Sequence, residues 1–159
     1  MAEEQQAPVQ EEKPLQQKAK KKVKKKVVTA HARRKEARAR ARLVPGSGRL
    51  TINGKDVNAI ENKYLRAIVL EPINLSKITK EIAKSSDIEV SVRGGGISGQ
   101  MQAARSAIAK VIVNASKDEV VKKIYATYDR SLIIDDVRQV EPKKFKGPKA
   151  RARFQKSYR

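Results

Sequence analysis

Ile88-Glu89-Val90-Ser91-Val92-Arg93-Gly94-Gly95-Gly96-Ile97-Ser98-Gly99-Gln100 changes its periodicity across the glycines. Before them, Ile88, Val90 and Val92 alternate with Glu89, Ser91 and Arg93, the pattern of a half-buried strand. After them, Met101, Ala104, Ile108, Val111, Ile112 and Ala115 recur at three and four residues, which predicts a long helix. Ser98 is the candidate cap of that helix. A strand, a glycine turn and a helix in sequence already imply an α/β or split βαβ domain.

The neighbouring segments extend the pattern. Downstream, Ser116-Lys117-Asp118-Glu119 has the form of a capping box. It opens a helix whose expected buried face is Val120, Val121, Ile124, Tyr125 and Tyr128, and residues 137–140 are a candidate last strand. Upstream, Asp56 can cap a helix carrying Ile60, Tyr64 and Leu65, with Pro72 ending or interrupting it. Leu75, Ile78 and Ile82 mark a second short helix. Arg49 to Asn53 alternates after a turn at Pro45-Gly46-Ser47-Gly48. Arg38-Ala39-Arg40-Ala41-Arg42-Leu43 sets two rules against each other. Alanine and arginine favour helices, but strict alternation places Arg38, Arg40 and Arg42 on one face of a strand and the alanines on the other. The strand reading is preferred.

Charge divides the 159 residues into three parts. Residues 1–26 read as a disordered, Lys-rich extension, residues 27–140 as one α/β domain and residues 141–159 as a basic tail without a periodic apolar face. The net charge is +20, of which residues 1–48 carry +9, residues 49–140 carry +4 and residues 141–159 carry +7. A chain so charged suits a polyanion, and each neutralised phosphate adds affinity by releasing counterions. A membrane surface is the competing partner, but the basic ends lack Trp and a run of large apolar anchors. With no Cys and only His31, cysteine chemistry and His clusters are excluded. No signal peptide and no membrane-spanning stretch are expected, and neither a cofactor nor a small-molecule substrate is implied.

Three motifs carry the functional reading. Gly94 to Gly99 satisfies a G-x-G-x-x-G pattern between strand and helix, where backbone N–H groups could meet a phosphate. A dinucleotide fold would need an acid ending a second strand about twenty residues on. Asp118 and Glu119 stand near that distance but belong to the capping-box pattern, so close approach of an RNA backbone is the better reading. Arg33, Arg34, Lys35, Arg38, Arg40 and Arg42 form an arginine-rich stretch, and guanidinium groups pair two phosphate oxygens at once. The third motif, the tail from Lys143 to Arg159, interleaves Phe145, Phe154 and Tyr158 with cations. Aromatic rings there could stack on unpaired bases. No catalytic set stands out, and the chain is read as a non-enzyme.

Together these motifs resemble one family, ribosomal protein nine of the small subunit. Gly94 to Gln100 followed by Ala103, Arg105, Ala107, Ala109 and Lys110 is similar to its signature. Arg33 to Arg40 is similar to its N-terminal strand motif. Asp136-Val137-Arg138-Gln139-Val140-Glu141-Pro142-Lys143-Lys144, with Gly147, Ala150 and Arg151, is similar to its C-terminal motif. The ending Ala150 to Arg159 resembles the archaeal and eukaryotic branch, and the short core leans archaeal. Ala32 departs from the family's usual glycine, as do Lys146 and Lys149 from glycines common in that branch. The resemblance implies a mixed sheet backed by helices with a left-handed βαβ crossover. It implies a cytoplasmic ribosomal location in the subunit head, on 16S-type rRNA beside neighbouring head proteins. It assigns rRNA contacts to Arg33, Arg34, Lys35, Arg38, Arg40, Arg42, Gly94, Gly95, Gly96, Ser98, Gln100, Arg105, Arg138, Lys143, Lys144, Lys149, Arg151 and Arg153. It also implies that Lys156 and Arg159 of the tail reach the P-site tRNA.

Overall fold

The structure is a computed structural model that describes residues 27–155. The expectations for residues 1–26, and those for Lys156 and Arg159, lie outside the described residues.

Five strands form one mixed sheet in the order β1-β2-β5-β3-β4. They are β1 (Val28–Arg34), β2 (Ala37–Pro45), β3 (Leu50–Ile52), β4 (Lys55–Asp56) and β5 (Ser86–Arg93). β1, β2 and β5 pair antiparallel in turn, β3 lies parallel to β5, and β4 closes a short antiparallel hairpin on β3. The helices are α1 (Lys63–Asn74), α2 (Lys77–Lys84), α3 (Ile97–Ser116) and α4 (Glu119–Tyr128). The chain is therefore a two-layer α+β domain. The parallel neighbours β3 and β5 are linked through α1 and α2, so a βα-type crossover is present.

The Ala/Arg alternation resolves as a strand. Ala37, Ala39, Ala41 and Leu43 of β2 are buried, and Arg38, Arg40 and Arg42 are exposed. Beside them Ala30 and Ala32 of β1 and Ile88, Val90 and Val92 of β5 turn to the same inner face. Ala32 thus fits the alternation where the family usually has glycine. α3 crosses beneath these strands with Ala103, Ala104, Ala107, Ile108, Val111 and Ile112 fully buried. Alanine on both surfaces removes side-chain bulk between helix and sheet, so the layers approach closely and interdigitate.

Several local expectations are corrected. Asp56 caps only a 3-10 turn, Val57–Ala59, while Asn62 caps α1 by accepting from the N–H groups of Tyr64 and Leu65. Both are cap-type residues, and the apolar spacing does not choose between them. Pro72 does not end α1, which continues to Asn74. Its carbonyl accepts from the buried Tyr125 hydroxyl at 2.7 Å, which ties α4 to this end of α1. Ser98 does not cap α3. Gly96 occupies the cap position and supplies no side-chain bond.

The capping box at residues 116–119 does not form either. Ser116 is the last residue of α3, Lys117 closes that helix at φ 57°, and Asp118 flanks α4 without a side-chain bond. Val120 and Tyr128 face solvent rather than the core, which takes Val121 and Tyr125. Residues 137–140 make no strand, and only a parallel bridge between Arg34 and Asp136 continues the sheet there. Asp136 turns the chain by accepting from the N–H of Arg138 at 2.9 Å, and such a local bond competes with a ladder.

Candidate nucleic-acid interface

The sheet's outer face is a register-aligned array of cations. Arg33 pairs with Arg38 across β1 and β2, and Arg38 pairs with Arg93 across β2 and β5. The next row holds His31, Arg40 and Ser91, and a third holds Thr29, Arg42, Glu89 and Thr51. All three rows lie on positions that alternate with the buried ones. Neighbouring strands stand about 5 Å apart and successive outward residues about 7 Å apart. Three guanidinium groups in one row repel each other, since like charges directly opposite are destabilising. The only acid within the rows is Glu89, 3.8 Å from Arg42. A concavity of about 810 Å³ lies over the first two rows, its polar lining being His31, Arg33, Arg38, Arg40, Ser91 and Arg93 together with Asp135 and Asp136. The only aromatic side chain on this surface is the exposed imidazole of His31. It can hold phosphates by charge and forked hydrogen bonds, with a single imidazole as the ring available for base stacking.

Arg93 belongs to this array although it is absent from the residues assigned by resemblance. The period-2 pattern of residues 88–93 was the signal that could have found it. Arg34 and Arg105, to which the resemblance also assigns RNA contacts, form ion pairs inside the protein. Arg34 sits opposite in phase to Arg33. Its Nη1 lies 2.5 Å from Asp136, and its Nε donates to Gln102 at 2.9 Å. Arg105 bridges Glu71 at 2.7 Å and Asp129 at 2.8 Å. Burial acts to raise the Asp129 carboxyl, but bonds from Ser131 and Arg105 outweigh it and hold it below its ordinary value. Beside it Tyr128 donates to Glu71 at 2.6 Å, and that bond pushes its hydroxyl pKa up.

The glycine turn packs against the β1–β2 hairpin. Gly94 has φ 76°, and a Cβ there would stand 2.7 Å from the Glu36 carbonyl oxygen. Gly95, at φ 64°, faces the Ala37 backbone at 3.0 Å. Both therefore answer to a close backbone approach within the protein. Gln100 also turns inward and donates to the Gly94 carbonyl at 3.0 Å. Gly96 and Ser98 remain open to solvent at the start of α3. Lys35 occupies the hairpin turn at φ 53° and is exposed.

Asp136 gathers the next residues. Arg138 donates to it through its backbone N–H and, side-on, through Nε and Nη2. Those bonds, with Arg34 beside them, hold the Asp136 carboxyl well below the usual carboxylate range and raise Arg138. Beyond it, residues 141–155 contain no helix or strand but fold back on themselves. Arg151 reaches Glu141 at 3.0 Å and Lys144 reaches it at 3.7 Å. Gly147 is buried inside this loop, where a Cβ would stand 2.7 Å from the Ala152 carbonyl oxygen. Lys143, Lys149 and Arg153 are exposed. Lys146 stands 5.6 Å from the ring centre of the exposed Phe145. Among the described residues no helix is long and apolar enough to cross a membrane, and no cluster of His, Cys, Asp or Glu could hold a metal.

A family model described as Ribosomal protein S9/S16 matches residues 32–159. Small ribosomal subunit protein uS9 of Methanothrix thermoacetophila is 43% identical over 134 residues, covering 84% of this chain and 99% of the relative. The protein of the same name from Dictyostelium discoideum is 45% identical over 143 residues, covering 85% and 95%. That from Thermoplasma acidophilum is 46% identical over 127 residues, covering 80% and 96%. The relatives thus come from archaea and from a eukaryote, and the match spans the arginine strand, the glycine turn and the basic tail. The chain belongs to the ribosomal protein S9/S16 family, on its archaeal and eukaryotic side.

Proposed function

We propose that this protein is a structural constituent of the small ribosomal subunit, bound to 16S-type rRNA in the subunit head beside other head proteins. The observation that carries the RNA reading is the row Arg33, Arg38 and Arg93, three guanidiniums held in register with no acid among them. Such a row is unfavourable alone and favourable against phosphates. Arg40, Arg42, Lys35 and Ser98 extend that surface, and Lys143, Lys149 and Arg153 continue it along the tail. The protein acts by binding and positioning rather than by catalysis, in the cytoplasm where subunits work. Gradient fractionation tests this: the protein should sediment with the small subunit. Recovery of most of it in soluble or chromatin fractions would instead favour a free nucleic-acid binder.

The finer part of the proposal concerns the end of the tail. Lys156 and Arg159 reach the P-site tRNA and add charge-assisted phosphate contacts that do not read base identity. Deleting residues 156–159 should leave subunit assembly intact and weaken P-site tRNA binding. Unchanged tRNA affinity would remove this role.

A dinucleotide-dependent enzyme is the weaker reading of the glycine turn. Gly94 and Gly95 are already hemmed in by Glu36 and Ala37. Calorimetry with dinucleotides and nucleoside triphosphates should show no heat of binding.

A further inference from the structure

We propose that Asp135 and Asp136 are positioning residues: a two-carboxylate latch that fixes where the basic tail leaves the core. This rests on the reading of the tail as a tRNA-contacting arm, and it gives that arm a defined origin.

The two carboxylates engage different sides of the core. Asp135 takes the Lys110 ammonium of α3 at 2.6 Å and the backbone N–H of Arg33 in β1 at 3.3 Å. Lys110 also donates to the His31 carbonyl at 3.3 Å, so one ammonium ties helix, strand and tail root together. Asp136 takes the Arg34 guanidinium at 2.5 Å, and Gln102 of α3 orients that guanidinium from its other edge. The parallel bridge from Arg34 to Asp136 aligns the backbones as well. The side chains of Arg34 and Asp136 are only 22% and 15% exposed, so water competes weakly for this pair.

The chain beyond the latch depends on it for direction. From residue 139 to residue 154 no hydrogen bond or ion pair joins the described tail to the core, and its polar bonds are internal, between Glu141 and Lys144 or Arg151. Among the described residues up to 154, Asp136 accepts the last polar contact between core and tail, and Gln139 and Val140 then run beside Arg34, Lys35 and the glycine turn before the chain departs. Arg138 closes on the same carboxylate and stiffens the first step outward. A contact made by the tail's end benefits from such an origin, because less orientational freedom is lost on binding.

The chain contains no cysteine, which makes site-specific spin labelling direct. Labels at Asn114→Cys and Val140→Cys, both exposed, report the distance from α3 to the start of the tail. In the full-length protein the parent distribution should be narrow. Asp135→Asn with Asp136→Asn should broaden it severalfold while far-ultraviolet circular dichroism stays unchanged. An equally narrow distribution in the double variant would overturn the latch. In assembled small subunits, the double variant should weaken P-site tRNA binding severalfold without lowering incorporation. Exchanging the charges, Arg34→Asp with Asp136→Arg, should recover part of that loss, which a merely structural role would not predict. Normal tRNA affinity in the double variant, alongside weakened affinity on deleting residues 156–159, would sink the latch and keep the tail reading. No effect from the deletion itself would sink the tail reading, and with it the functional part of the latch.

Discussion

Tyr125 directs its hydroxyl at the carbonyl oxygen of Pro72, 2.7 Å away, in a buried site. Burial pushes the pKa of that hydroxyl up and keeps it a donor. Tyr125→Phe leaves the Pro72 carbonyl unsatisfied and should cost about 1–3 kcal/mol in denaturant unfolding. Asp87 works differently. Its carboxylate accepts from the backbone N–H groups of Arg49 at 3.0 Å and Ser47 at 2.9 Å, and so holds the turn between β2 and β3. Those bonds, that from Arg49 foremost, lower its pKa. The fold therefore favours the ionised form. Its contribution is complete above the ordinary carboxylate pKa and is lost as pH falls through the lowered folded value. Asp87→Asn should destabilise the protein at neutral pH by an amount that shrinks on acidification. Thermal unfolding across a pH series checks this, and a difference independent of pH would contradict it. Residue type alone did not disclose these roles. Arg34 and Arg105 look like RNA ligands in the sequence, and only the fold reveals the carboxylates brought to them from over twenty residues away.

Strand β2 shows what was legible in an element. Its period of two overrides the helix preference of Ala and Arg because the alternation lets every alanine reach α3 while every arginine reaches solvent. The helix ends were not legible, since Asp56, Asn62, Ser98 and Ser116 all have the chemistry of caps. Which one serves depends on where the chain turns in three dimensions. The same register that sorts β2 builds the arginine row. Arg38→Gln and Arg93→Gln should each reduce the slope of log affinity against log salt for RNA by about 1. Both should also raise the melting temperature of the free protein by relieving repulsion, as calorimetry can measure. A lowered melting temperature in both would mean that the row is not strained.

At the scale of the molecule, the order of elements and the cationic ends were readable because hydrophobic period and charge are local properties. The latch and the folding-back of the tail were not, because they join residues distant in sequence, such as Lys110 with Asp135 and Glu141 with Arg151. The bonds from Lys110 to Asp135 and from Arg34 to Asp136 tie the root of the tail to the core. The core provides a cationic sheet face, and the tail leaves it beside Asp136.

The unneutralised row also bears on the protein's lifetime. A partner that binds only the folded form stabilises it by an amount that grows with the logarithm of the partner's free concentration over its dissociation constant. A copy without RNA forgoes that stabilisation and retains the repulsion among Arg33, Arg38 and Arg93. Surplus copies should then open more often and be cleared by proteases sooner than copies held in a subunit. Pulse-chase labelling during overexpression should show two decay rates, the faster belonging to unassembled chain. The mutual repulsion of three side chains would thus act as a stoichiometry control, matching the amount of this protein to the amount of RNA available to receive it.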